Sequence, residues 1–246
     1  MIVSTEAEAP QPARTVPPAI VALIAPDSGM ERQAKVGKAG IAFLIAFACA
    51  LSAAFAQSAR VDARSSTLQK LEQAGQLTSM SERAIEDETR NAERLYQVIR
   101  VATGALEAPL FLLLGGLSVV VLVWFLSGRV KGRAVFPVAA AVLLPGAIAN
   151  LLDGVTALRQ TSLPVGPAVL ASRDLGAVLA SLGHPLSGAA LKLAGAFDFF
   201  SLWAAVMMAF GVAAAGDVPT RRALIGTLCA WVCLRLVVSV ALRGGA

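Results

Sequence analysis

AFDFFSLWAAVMMAFGVAAAG, residues Ala196–Gly216, is apolar over nearly its whole length, yet an aspartate, Asp198, stands near its start. A helix rises 1.5 Å per residue, so a run of about 20 apolar residues crosses a hydrocarbon layer of about 30 Å. The stretch is long enough to span. The carboxylate then needs a reason to be there.

Working outward, the rest of the chain has the same character. It holds 246 residues, 57% hydrophobic and 15% charged, with a mean hydropathy of +0.70. Soluble domains carry about 25% charged residues, so composition places this chain among membrane proteins. Windows of about 19 residues give five segments of spanning length: Ala39–Gln57, Leu106–Ser127, Ala134–Asp153, Phe197–Gly216 and Ala223–Leu242. The expected fold is an all-α polytopic membrane bundle of five transmembrane helices with an extracytoplasmic helical hairpin.

The basic residues orient it. Arg32, Lys35 and Lys38 precede the first span. Arg129, Lys131 and Arg133 fill the linker after the second, and Arg221 and Arg222 the linker after the fourth. Short basic loops remain in the cytoplasm. Five spans put all three regions on that side, with the N-terminus cytoplasmic and the C-terminus extracytoplasmic. Residues 1–38 form the cytoplasmic tail. Its start (EAEAPQPARTVPP) is too poor in apolar residues to fold and is expected to be disordered. Ala19–Ala25 is apolar but short, and fits either an interfacial helix or a segment packed under the bundle.

Between the first two spans, residues 58–105 are rich in charge and hold no proline. Leu68, Leu71 and Leu77 mark one helical stripe and Gly75 a stop. Ser79-Met80-Ser81-Glu82 fits the S-x-x-E capping box that opens a second helix. Ala84, Ile85, Leu95, Val98, Ile99 and Ala102 lean to one side of it. The second arm should run directly into the second span. The hairpin reads equally as a solvated cap or as a docking surface for another protein. Its charges are mixed in sign, so nucleic acid is not an expected partner. The outer loop, residues 154–192, carries Pro164, Pro167 and Pro185, with a short surface helix expected over Asp174–Leu182.

Signs of catalysis are missing from the sequence. It has no G-x-S-x-G, no H-E-x-x-H and no phosphate-binding glycine loop. Cys49, Cys229 and Cys233 all fall inside spans, which argues against a disulfide framework. Cys229 and Cys233 share a helix face, but the single histidine, His184, lies in a loop and no ligand set accompanies them. They read as packing thiols. No catalytic residue, metal site or cofactor is expected.

Asp198 has a candidate partner. It lies about 27 Å of helix above Gly216, and Arg235 about 20 Å above Arg222 on the next, antiparallel span. A charge inside the membrane costs about 2.5–3.5 kcal/mol and tends to face a partner, and an arginine side chain can snorkel across the difference in height. Asn150 and Asp153, at the end of the third span, stand at the same level, and Glu107 opens the second span there. An intramembrane polar cluster of Asp198, Arg235 and Asn150 or Asp153 is therefore expected. It serves either to hold helices in register or as a substrate or proton site. Gly115, Gly116, Gly146, Ala149 and Gly211 should let helices approach closely, and Pro109 and Pro145 should bend their spans.

Three stretches carry a resemblance: LLPGAIANLL (Leu143–Leu152) with Pro145-Gly146 in a bent span, FDFFSLWAAVMMAFGVAA (Phe197–Ala214), and TRRALIGTLCAWVCLRLV (Thr220–Val237). The block Phe197-Asp198-x-Phe200-Ser201-x-Trp203 resembles that of the Yip family (Ypt/Rab-interacting proteins). The core match covers residues 106–242, and the Ser79–Glu82 start resembles bacterial members with an extracytoplasmic helical insert. The resemblance implies a multi-span, non-enzymatic membrane protein. For a bacterial member it implies an accessory subunit or assembly factor in the inner membrane, beside a Mac-type ABC exporter permease and its membrane-fusion adaptor. A transporter or lipid-handling protein using the polar cluster is the alternative. Membrane lipids are expected partners in either case, and a homo-oligomer is left open.

Overall fold

The computed structural model describes residues 16–75, 79–164, 175–184, 187, 190, 194–195 and 197–241. The Pro-rich tail and Leu77 lie outside the described residues.

The chain is all-helical apart from one short parallel bridge. The order is α1 (Pro18–Ile24), α2 (Pro26–Val36), α3 (Gly40–Ser58), β1 (Val61–Asp62), α4 (Ala63–Gln73), α5 (Glu82–Phe125), α6 (Gly132–Val142), α7 (Leu144–Arg159), β2 (Leu163–Pro164), α8 (Leu175–Ser181), α9 (Phe199–Gly216) and α10 (Thr220–Ala241). Among the described residues, four helical stretches are long and apolar enough to cross a membrane: α3, α5, α6 with α7, and α9. This makes the chain a membrane-embedded, multi-pass protein by length and composition.

Small residues set the packing. The core is built mostly of alanine and valine, with α6 almost wholly buried from Val138 to Ala141. Without an apolar–aqueous contrast between helices, close backbone approach is what holds such a bundle. Gly211 on α9 shows the requirement. A Cβ there would stand 2.2 Å from Val138 Cγ1. Gly104 on α5 meets α3 in the same way, 2.5 Å from Ala54 Cβ. Gly146 differs from expectation, since a Cβ there meets no atom within 4 Å and it is no packing contact.

The two prolines behave differently. At Pro145 the helix breaks as expected. Pro145 cannot donate a backbone hydrogen bond, and α6 ends at Val142 with Leu143 closing a tighter turn onto the Ala140 carbonyl at 3.3 Å. The helix continues through Pro109 without interruption. One lost hydrogen bond is tolerated where neighbouring helices support the backbone.

At one end of the bundle the three basic segments meet. Lys131 pairs with Asp217 at 2.5 Å, and the N–H groups of Arg129 and Lys131 donate to the last carbonyls of α9, Gly216 and Ala215. Asp217 ends α9 in a left-handed conformation, φ 51°. Helix α2 packs on the same end. Its Gln33 is buried and donates to the carbonyls of Lys38 and Pro137. The sequence suggested no ordered α2, because its apolar content is low. Met30 and Gly29 nevertheless bury it against α1, whose Ala19 and Ala22 enter the core beside Ala140, Ala141 and Met207. Of the two placements open for Ala19–Ala25, the structure has the segment packed in the bundle.

At the opposite end, Asp62 caps α4 by accepting from the Arg64 and Ser65 N–H groups. Gly75 turns the chain at φ +66°. Helix α4 lies against α5, whose 44 residues run unbroken from Glu82 to Phe125. The cap of α5 is Ser81, accepting from the Ala84 N–H at 3.4 Å, and not Ser79. The helix starts two residues later than the S-x-x-E spacing suggests, because the Ser81 side chain reaches the orphan N–H three residues on. Leu95, Val98 and Ile99 on α5 remain exposed.

Candidate functional site

The Asp198 end of the bundle gathers the polar residues of the apolar segments. Asp198 is the N-cap of α9. Its Oδ1 accepts from the Ser201 N–H at 2.8 Å, and the Ser201 hydroxyl donates back to the Asp198 carbonyl at 3.1 Å. The carboxylate satisfies one of the N–H groups that the first helical turn leaves open, while the Asp198 carbonyl also takes the first intrahelical bond from the Leu202 N–H at 3.1 Å. This cap gives the D-x-F-S spacing at Asp198–Ser201 a local reason. Phe200 stacks on Trp203 at the start of the helix, with Phe199 edge-on to Phe200 and tilted to Trp203. Phe197 turns edge-on to Trp231 of α10, ring centres 5.4 Å apart.

The second carboxylate oxygen of Asp198 accepts from Arg235 of α10 at 3.0 Å. Both side chains are about one-third exposed, 30% and 34%. The guanidinium also lies 6.0 Å over the Trp231 ring, a cation–π contact. Trp231 escaped the sequence reading, although its spacing four residues before Arg235 puts the two on one helix face.

Asn150 does not join that pair. It donates to Glu107 of α5 at 2.9 Å. Glu107 lies inside α5 and not at its start, contrary to expectation, and ties that helix across to α7. Asp153 stands one turn further along α7, half-buried, and is not part of the lining described next. A second cross-link, also missed, ties α5 to α3: the Arg100 guanidinium donates to Gln57 on α3. Among the many charges of α5, nothing singled out Arg100 for it.

Glu107, Asn150 and Asp198 share one rim. They head a groove of about 580 Å³ between α3, α5, α6–α7, α9 and α10. Below the rim the walls are apolar, including Phe111, Leu114, Val142, Leu143 and Met208. Along α5 the groove runs from Glu107 to Ser118, a helical rise of about 16 Å. Phe200, Ser201 and Gly146 also line it. The volume falls within the 300–1,000 Å³ range of small-molecule sites. Arg235 touches the rim only through Asp198.

A larger cavity of about 1120 Å³ lies at the basic end, lined by Asp27, Glu31, Lys35, Lys131, Arg133 and Asp217 among others. Its charges are largely spent on one another. Lys35 pairs with Glu31 and Lys131 with Asp217, each at 2.5 Å and exposed. The Lys35 ammonium, first by its hydrogen bond and then by its charge, holds the Glu31 carboxyl below its ordinary range.

The described residues contain no group of three or more metal-ligating side chains. Cys49 packs in the core, whereas Cys229 and Cys233 are exposed on α10. The packing role expected for all three holds within this chain for Cys49 alone, because α10 leans on the bundle chiefly through α9 and turns its other faces outward. Comparison with protein-family models, curated proteins and solved structures returned no match.

Proposed function

We propose that this is a non-enzymatic membrane protein that holds an amphiphile in the groove below Glu107, Asn150 and Asp198. The observation that carries this reading is the groove's polarity along its length. Carboxylates and an amide stand at one end, and apolar walls fill the rest. Its depth of about 16 Å is about half of a 30 Å hydrocarbon layer, so it matches one leaflet. On this reading α10 is a fifth span and residues 58–105 are extracytoplasmic. The basic end is cytoplasmic, as the clustering of Lys35, Lys131 and Arg133 supports. The membrane is then a bacterial inner membrane, as the Yip resemblance implies.

Gly146 offers the test, because it lines the groove and open space surrounds its Cβ position. A leucine there fills the groove without pressing on a neighbour. Native mass spectrometry of the full chain, released from its own membranes, should find bound lipid on the wild type and far less on Gly146→Leu. Equal retention by the two would end the groove reading.

A second reading has its own observation. Leu95, Val98 and Ile99 form an exposed apolar stripe on the extramembrane part of α5. It supports the accessory role, in which residues 58–105 dock an ABC-exporter permease or its adaptor. Replacing 58–105 by a Gly/Ser linker should then abolish co-purification of those subunits in native lipid. If the protein comes alone with or without the linker, this second reading fails.

A further inference from the structure

Among the described residues, the rim of the groove is not charge-balanced, and that bears on the headgroup it would take. Asp198 is fully engaged. One oxygen accepts from the Ser201 N–H and the other from Arg235, whose positive charge matches its own. Glu107 is not matched. Its recorded partner is the neutral Asn150 amide, which donates to Oε1. No cation among the described residues forms an ion pair with it. Among the described residues, the mouth of the groove therefore carries one negative charge in excess, with Phe200 also in its lining.

We propose that the groove binds an amphiphile whose headgroup is a protonated amine, seated on Glu107 and Asn150 with its chain along Leu114 and Met208. This inference rests on the groove reading above and adds the headgroup. A carboxylate at the edge of an apolar layer is costly unless it is paired. An ammonium supplies the pair, and three N–H donors for the free oxygen of Glu107 and the Asn150 carbonyl. An anionic headgroup would meet two carboxylates, and the Arg235 guanidinium is already turned to Asp198.

Three probes with one chain and different heads separate the two layers of the proposal: oleylamine, oleyl alcohol and oleic acid. They compete for the full chain in maltoside micelles at pH 7.5, and native mass spectrometry counts what is bound. Oleylamine should exceed the alcohol by about tenfold, the size of one charge-assisted hydrogen bond, and oleic acid should bind least. Glu107→Gln should erase the preference, while Glu107→Asp, which keeps the charge, should preserve most of it. The wild-type comparison needs no variant to fold, and equal binding of all three, or preference for the acid, overturns the amine assignment. If Gly146→Leu still excludes all three in that case, the groove stands without its headgroup. If no probe binds, or Gly146→Leu excludes none, the groove itself is wrong.

Discussion

The two ends of this bundle hold their charges in opposite ways. At the basic end, Lys35–Glu31 and Lys131–Asp217 are exposed pairs on loops and on a surface helix. At the other end, Asp198–Arg235 and Glu107–Asn150 are partly buried ties between long helices. Where water reaches a charge, pairing contributes little, since the solvent already satisfies it. Where apolar walls surround it, the same pairing decides which helices lie together. The difference teaches that the cavity with more charges is the weaker candidate site. Its charges answer one another, whereas the groove leaves one unanswered.

That contrast can be broken by removing charges at each end. Asp198→Asn keeps the cap on α9 but strands Arg235, and should cost about 2 kcal/mol in thermal unfolding within nanodiscs, below the full intramembrane penalty because the pair is one-third exposed. Adding Arg235→Leu should recover most of that loss, and an additive double variant would show that the two do not act as a pair. Between the ends, Gly211→Ala drives a methyl into Val138 and should cost about 1–3 kcal/mol. Gly146→Ala has open space and should be neutral or stabilising by up to about 1 kcal/mol. Beyond the polar end, Ser81→Ala removes the cap of α5, worth about 1 kcal/mol. The change should appear as faster hydrogen exchange in its first turns, with Ser79→Ala altering them less.

The basic end should yield the smallest effects. Lys131→Ala should shift the melting temperature by less than a degree, and added salt should erase the difference. Glu31 gives the acid-side check. Its carboxyl is held below its usual range by Lys35, so its contribution is present above that range and fades as pH falls through the lowered value. Glu31→Gln should remove this small acid dependence and leave neutral pH unchanged. A large loss at neutral pH would reverse the ranking of the two ends.

Much of this was legible in the chain. The spans follow from apolar length alone, and four of the helices found match windows read from hydropathy to within a few residues at the membrane-crossing segment. The Asp198–Arg235 pair was legible because two charges on consecutive apolar segments have few other places to go. The Glu107–Asn150 tie was not, since both residues are common at helix ends and nothing in sequence says that α5 and α7 face each other there. Helix α2 was missed for a related reason. Its helical order comes from the close seat of Gly29 on Ala22 and the burial of Met30, which are tertiary facts. The shift of the α5 cap from Ser79 to Ser81 shows that a motif fixes a boundary only to within a turn.

Helix α5 has a mechanical consequence. Its continuous run of 44 residues makes a rod of about 66 Å. One portion carries the exposed Leu95, Val98 and Ile99, and another forms a wall of the groove. Pro109, two residues past Glu107, removes one backbone hydrogen bond without interrupting the rod. The exposed stripe and the groove wall are thus parts of one continuous backbone, so a rigid displacement of one carries the other with it.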